Sequence, residues 1–391
     1  MKLELKFQSH FNQYLNPRQF QTLSLLIYAI NQCREVKIER LATYFPLPIL
    51  FESRRRHIQR FLVLQSFSVC LIWFPIIKKI IFQLFSSKNP LVMVLDRTQW
   101  SDINIFMITV IWNHRGIPIF WDILDKKGAS NLGEQKALIR PIIKLLKKYH
   151  LIIIGDREFH SIKLCNWLTE ENKGKKRKID FILRQKENTY YQENEQEYQQ
   201  LSKIKLSKGI KQIKLNVKVT KYRGFSQQNL VIYQRKKKKN KNKKIDKWLL
   251  LTSLENTEQV VSIYSKRMGI ETMFKDYKSG GYNLEGSKAK KQRLCSLLLL
   301  IAISYTGNIL TGKKLKRKKQ ERYINRGREK GSKQRRQSNF WVGIYGKEWI
   351  DFKEEIQENI KKIMELNKNK LWCYRRGIRA KEKIREIYQS Q

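Results

Sequence analysis

The sequence predicts a mixed α/β protein in which a mostly buried sheet is flanked by helical regions at both ends of the chain. Three observations predict it. Two runs, LVMVLDRT (91–98) and LIIIGDREF (151–159), are apolar throughout and close on an aspartate, as strands buried on both faces do. INIFMITVIW (103–112) and GIPIFWDIL (116–124) follow the first run after hairpin-length gaps. The segments before residue 88 and after residue 311 repeat apolar residues at helical rather than strand spacing.

In chain order, residues 1–88 read as a helical domain. Asn16-Pro17 opens LNPRQFQTLSLLIYAINQC, with proline suited to a first helical turn. EVKIERLATYF is a second helix, and ESRRRHIQRFLVLQSF a third. The third sets Arg54, Arg55, Arg56 and Arg60 beside an apolar stripe, which suits a nucleic-acid contact or, equally, a solvated basic face. Residues 89–310 form the central domain. Its first three strands form an antiparallel meander, then LGEQKALIRPIIKLLKKY (132–149) is a helix, 151–159 a strand, HSIKLCNWLTEE a helix and DFILRQ (180–185) a strand. Residues 187–247 read as a lysine-rich β insertion, ending in the run RKKKKNKNKKIDK. WLLLTSL (248–254) resumes the apolar pattern, and a helix carrying residues 264–278 follows. Leu294–Ile303 reads as a buried helix. Residues 311–391 read as a basic linker, with thirteen basic residues and two acids between Lys313 and Arg336, and then further helices.

Composition narrows the partners. The 391 residues include 81 Lys and Arg against 34 Asp and Glu, a formal charge of +47. So many like charges repel one another in a compact fold, and a polyanion relieves the repulsion. Nucleic acid is the first candidate and an anionic membrane surface the second. Five cysteines stand singly, without a CxxC pair, which argues against a disulfide framework or a zinc ribbon and fits a reducing cytosol. The five histidines make no metal-binding pattern. The N-terminus has no apolar signal-like core, and the apolar stretch Phe61–Ile77 is broken by Gln65, Ser66, Ser68 and Pro75, so neither is expected to cross a membrane.

The residues that carry chemistry lie at strand ends and on one helix. Tyr264, Arg267, Glu271 and Lys278 are spaced so that a continuous α-helix would set them on one face. Taken alone this is also what a charged surface helix looks like. Asp96 and Asp156 each end a central strand, where a rigid sheet presents groups to a cleft. Three carboxylates brought together repel and call for a cation, and hard oxygen ligands favour Mg²⁺, with Mn²⁺ as a substitute.

These blocks resemble the IS4-type insertion-sequence transposases, a DDE family with a ribonuclease-H-like core. VLDRTQW around Asp96, IGDREF around Asp156 and IYSKRMGIETMFKDYK carry the likeness, which is clearest over 91–305; the third block reproduces the family's Tyr-Arg-Glu-Lys spacing without a gap. The resemblance implies a ribonuclease-H-like mixed sheet, and metal-dependent cleavage of transposon ends followed by strand transfer into target DNA. Asp96, Asp156 and Glu271 would hold two divalent ions. Tyr264, Arg267 and Lys278 would grip end phosphates, and Trp248 would stack on an extruded base, though a core tryptophan at a strand start reads equally well. Arg157 and Glu158 would support the second aspartate. The partner would be double-stranded DNA, the active form a homodimer with no membrane attachment, and the location the prokaryotic cytoplasm, at the nucleoid. A structure-selective nuclease on the same core, and a catalytically inactive basic DNA-binding protein, are the alternatives.

Overall fold

The computed structural model describes residues 3–100, 103–124, 126, 128–173, 178–207, 209–220, 226–234, 247–289, 291–319, 321–326, 331, 337–349 and 353–379. Apart from Lys247, the lysine run 235–247 lies outside the described residues, as does most of the basic stretch 327–336. The chain forms two compact units. One contains 77–274, and the other joins 1–76 to 275–391.

The 77–274 unit is built on one sheet. Its strands are β1 (Leu91–Trp100), β2 (Ile103–Trp112), β3 (Arg115–Leu124), β4 (Leu151–Gly155), β5 (Ile179–Arg184), β6 (Tyr190–Gln192), β7 (Gln199–Gln200), β8 (Lys211–Val219), β9 (Ser226–Gln234) and β10 (Lys247–Thr252). Their spatial order is β3-β2-β1-β4-β5-β10-β9-β8-β6-β7. β1, β2 and β3 form the expected antiparallel meander, and β4 and β5 run parallel to β1. Each parallel step is reached through a helix, Leu132–Leu145 between β3 and β4 and Ile162–Glu170 between β4 and β5. Three antiparallel strands followed by two parallel ones make a ribonuclease-H-like mixed sheet. β6 to β9, drawn from 187–247, continue that same sheet beyond β10.

Local chemistry explains the joints. Asn113 and His114 both have positive φ, at 48° and 64°, which makes a two-residue turn whose twist suits the β2–β3 hairpin. Asn131 and Glu134 form a reciprocal capping box that starts the helix after β3. Met93, Val94 and Leu95 of β1 and Ile152, Ile153 and Ile154 of β4 are buried on both faces, so neither strand alternates polar and apolar residues. At about 1.5–3 kcal/mol per large aliphatic side chain, these two strands anchor the unit.

The other unit is helical. Its N-terminal part contains Pro17–Cys33, Ile38–Tyr44 and Phe51–Phe61; its C-terminal part contains Lys291–Arg317, Asn339–Trp349 and Lys353–Glu365, with a further helix over 371–379. Leu294–Ile303 belongs to the 27-residue helix Lys291–Arg317, longer than the apolar pattern alone suggests. It is long and apolar enough to cross a membrane, but 83% of its apolar window is buried inside the protein. Ser304 Oγ and Asn308 Nδ2 of that helix donate to Asn31 Oδ1 on Pro17–Cys33 at 3.0 and 2.7 Å, and Asn308 Nδ2 also donates to the Tyr282 hydroxyl at 3.1 Å. A fully buried polar cluster fixes how the two ends of the chain pack, because each unpartnered polar atom there would carry a desolvation penalty.

Candidate active site

Strand register sets the first two acids side by side. Leu95 of β1 pairs with Gly155 of β4 in a parallel ladder, so Asp96 and Asp156 occupy the next position on adjacent strands. Gly155 is required at its place, since a Cβ there would stand 2.6 Å from Phe159 Cβ and 2.9 Å from Leu183 Cδ2. Phe159 is driven under the sheet end by its burial and stacks on Phe106 of β2 at 5.6 Å. Asp156 then caps the turn Arg157–Phe159, accepting from Arg157 N at 2.6 Å, and Asp96 accepts from Arg97 N at 2.8 Å.

A second layer ties these two corners together. Arg97 Nε donates to both oxygens of Glu158, at 3.0 and 2.8 Å, and Arg97 Nη1 donates to Asn104 Oδ1 at 2.6 Å. Glu158 Oε1 also accepts from Ser130 N and Oγ, both at 3.0 Å. The Arg97 and Glu158 side chains are only 17% and 18% exposed, so this charge-assisted pair is largely screened from water. Arg157 stands exposed beside it.

The third acid arrives on a broken helix. A single helix was expected over 264–278. The structure has two, Thr257–Ser265 and Met268–Tyr277, joined by a tight turn at Lys266 and Arg267. Arg267 N and Ile270 N bond three residues back, to Tyr264 O and Arg267 O, instead of four. Contact with the β2–β3 hairpin accounts for the position of the second helix. A Cβ on Gly269 would stand 2.9 Å from Ile111 Cδ1 and 3.3 Å from Gly116 N, and one on Gly116 would meet Ile270 Cα at 3.3 Å. Two glycines thus let helix backbone lie on strand backbone, one turn before Glu271.

The outcome is convergence on one guanidinium. Arg267 Nη1 lies 3.5 Å from Asp156 Oδ2 and 3.8 Å from Asp96 Oδ2, and Arg267 Nη2 bonds Glu271 Oε1. Arg267 itself is only 13% exposed. Burial pushes the Asp96 carboxyl up to about 6; the Arg97 N–H and Arg267 oppose that rise, while Asp156 and Glu271 add to it. Burial alone would lower Arg267, but the surrounding Asp156, Tyr264, Glu271 and Asp96 outweigh it and hold the guanidinium above its ordinary value. Among the described residues, no three acid, histidine or cysteine side chains stand close enough to enclose an ion as they are. What the acids close on is Arg267. The donor set of three carboxylates nevertheless fits a hard divalent cation by its chemistry.

The remaining sequence-selected residues fall in distinct places. Tyr264 is buried; its ring meets Trp248 edge-on at 4.9 Å, and Trp248 meets Tyr233 edge-on at 5.5 Å. Trp248 is 8% exposed within this ladder. Burial and the nearby Asp156 raise the Tyr264 phenol, against the pull of Arg267 and Arg184. Lys278 belongs to the helical unit, where its amine pairs with Glu285 at 2.8 Å. In that unit too, Arg55 forms a two-pronged pair with Glu52 at 2.9 and 2.8 Å, Arg56 shares Glu52 at 3.2 Å, and Arg54 lies over the Phe51 ring at 6.0 Å. Sequence reasoning missed Arg97, Ser130 and Asn104. The repeated Asp-Arg of VLDRT and IGDREF was the available signal for Arg97, whereas Ser130 and Asn104 had none.

Comparison with curated proteins finds no match. Among solved structures, a piggyBac transposase synaptic complex with hairpin DNA is similar at a TM-score of 0.46 and 15% identity, over 89% of this chain and 76% of that one. Marinitoga piezophila Argonaute with 5′ OH guide RNA and target DNA gives a TM-score of 0.22 at 10% identity, over 46% of this chain and 26% of that one. The same Argonaute with guide RNA gives 0.25 at 14%, over 58% and 34%. The family described as "Transposase DDE domain" matches residues 102–306, a span that holds Asp156 and Glu271 and begins just after Asp96. The chain therefore belongs to the DDE transposase domain family, that of the IS4-type phosphoryl-transfer transposases.

Proposed function

We propose that Asp96, Asp156 and Glu271 are the catalytic acids of a transposase that cuts DNA at transposon ends and joins the freed 3′-hydroxyl to target DNA. The observation that carries this reading is the closure of three acids, from separate parts of the chain, on the single Arg267 guanidinium. Divalent metal use follows from the family, and we assign two Mg²⁺ ions to these acids, with Mn²⁺ as a substitute. Bound there, such ions would activate the attacking oxygen and stabilise the leaving one in phosphodiester exchange.

The protein's own groups prepare that chemistry. Asp96, raised to about 6, is ionised at neutral pH and so available as a ligand. The Arg97–Glu158 pair braces the two aspartate corners against each other. Arg267, which now faces the three acids, would be a phosphate ligand for the DNA end if a bound cation took over their charge. Tyr264 backs that arginine from the buried side. Lys278, and Arg54, Arg55 and Arg56, are assigned further backbone contacts, and Arg157 an exposed one beside Asp156. Trp248 stacks on an extruded base if its ring face parts from the Tyr233–Tyr264 ladder. We assign a homodimer as the synaptic form and the prokaryotic cytoplasm as its location.

The test is incubation with labelled transposon-end DNA, target plasmid and Mg²⁺. Nicks and strand-transfer products are expected, and both should disappear in Asp96→Ala, Asp156→Ala and Glu271→Ala. Products that persist in Asp96→Ala would overturn the assignment. Cleavage of branched DNA without strand transfer would favour a structure-selective nuclease.

A further inference from the structure

The helical unit contains a cavity of about 520 Å³ that the acid cluster does not use. It forms where Pro17–Cys33, Phe51–Phe61 and the helix over 371–379 meet. Gly377 makes that meeting possible, since a Cβ there would collide with the Pro48 carbonyl. Among the described residues, five cations line the cavity, Arg18, Arg56, Arg60, Lys370 and Arg376, and no carboxylate does. Glu52 reaches Arg56 at 3.2 Å from outside that lining, and so partly offsets one of the five. Trp372, 60% exposed, lies at the cavity with the Arg376 guanidinium 5.7 Å from its ring centre.

His57 reports the field inside. Its Nε2 lies 3.0 Å from Thr22 Oγ1, which donates to the Arg18 carbonyl at 2.8 Å. Burial, then Arg18 and Arg60, push the imidazole down to about 4, so it is neutral while the arginines are charged. The cavity is therefore a concentrated positive site with a neutral histidine at its wall.

Size and chemistry together select the ligand. A part-open volume of several hundred Å³ is of small-ligand size and larger than an isolated phosphate needs. Arginines match phosphate oxygens by geometry as well as charge, and an exposed indole offers a face to a base. We propose that this cavity binds one unpaired nucleotide of a DNA strand, its phosphate among Arg18, Arg60 and Arg376 and its base on Trp372. The proposal rests on the reading of the chain as a DNA-processing enzyme, but it concerns a contact remote in sequence from Asp96, Asp156 and Glu271.

The experiment uses the full-length protein without metal, so that no cleavage step enters the readout. Histidine-selective NMR follows His57, assigned with His57→Gln, with a short oligothymidylate, a blunt duplex or inorganic phosphate as probe. Oligothymidylate is expected to raise the His57 titration midpoint, because an anion beside Arg18 and Arg60 offsets the field that lowers it. Trp372→Ala should weaken oligothymidylate binding roughly tenfold or more, the scale of one lost base–aromatic stack. Arg60→Gln should reduce the salt slope of binding by about 0.7, the signature of one lost single-strand phosphate contact. An unmoved His57 at saturating oligothymidylate would overturn the proposal, as would wild-type binding by both variants. So would a full shift produced by phosphate alone or by the blunt duplex. Failure of the cleavage assay above with success here would remove the transposase mechanism and leave the nucleotide site standing.

Discussion

Arg97 bonds both carboxylate oxygens of Glu158 across sixty-one residues of chain, and so links the residue after Asp96 to the residue two after Asp156. The pair is a brace, and its removal should be felt by the acids it holds. Glu158→Gln keeps the shape and loses the charge; Arg97→Ala loses both. We expect a stability loss of about 1–3 kcal/mol for Arg97→Ala, measured by denaturant unfolding, because Glu158 is left with a half-met charge. Mn²⁺ affinity, measured by calorimetry, should fall by about 10–100-fold in both variants, the usual consequence of losing a support behind metal ligands. Unchanged affinity with reduced stability would make the pair merely structural.

Arg267 is the cation on which the three acids close. Arg267→Gln should therefore leave the metal-free protein with unrelieved repulsion and a lower melting temperature at pH 7–8. Added Mg²⁺ or Mn²⁺ should raise that melting temperature by more in Arg267→Gln than in the wild type. An equal rise in the two would show that the guanidinium and the metal do not share a place.

Asp96 gives a pH dependence with a definite sign. Its carboxyl is raised from 3.8 to about 6 in the folded protein, chiefly by burial. Between those values the folded state holds a proton that the unfolded state has released. The stability contributed by Asp96 is thus fully present below about pH 3.8 and is lost as pH rises through about 6. Metal binding requires the ionised form, so affinity should climb through pH 6 and level off above it. Asp96→Asn should abolish this step in the stability profile of the metal-free protein, and any step that survives must come from another group.

Gly155 is expected to tolerate nothing larger. In Gly155→Ala the new methyl must displace Phe159 or Leu183, both fully buried, at a cost of about 1–3 kcal/mol. Because Phe159 anchors the turn that Asp156 caps, loss of DNA strand cleavage should exceed what the stability loss explains, measured well below the melting temperature of the variant.

Much of this was legible in the sequence, and the residues say why. LVMVLDRT and LIIIGDREF announced buried strands because they must be apolar on both faces, and their aspartates announced a sheet end because a charge cannot continue such a strand. The pairing of Leu95 with Gly155, which puts those aspartates side by side, is a fact of register that no local pattern encodes. The helix over 264–278 read as continuous, since nothing in IYSKRMGIETMFK forbids helix at Lys266 and Arg267; the break is tied to Gly269 lying on the β2–β3 hairpin, a tertiary contact. Likewise the spacing of Tyr264 to Lys278 suggested a shared face, whereas Lys278 and Tyr264 fall in different compact units. Apolar patterning revealed Leu294–Ile303 but understated its helix, because the helix continues through Asn308 and Gly312, a polar and a small contact within the packed bundle.

The helical unit joins residues 1–76 to residues 275–391, so its two parts are made at separate times, with the whole sheet unit between them. At about 5–20 residues per second, tens of seconds separate the ribosome's passage of Arg60 from its passage of Trp372. Late in that interval, once Thr252 and Glu271 have been made, the sheet has every strand and all three acids, while the cationic cavity still lacks one wall. A chain interrupted in that interval would carry the acid cluster without the cavity wall that Trp372 and Arg376 supply.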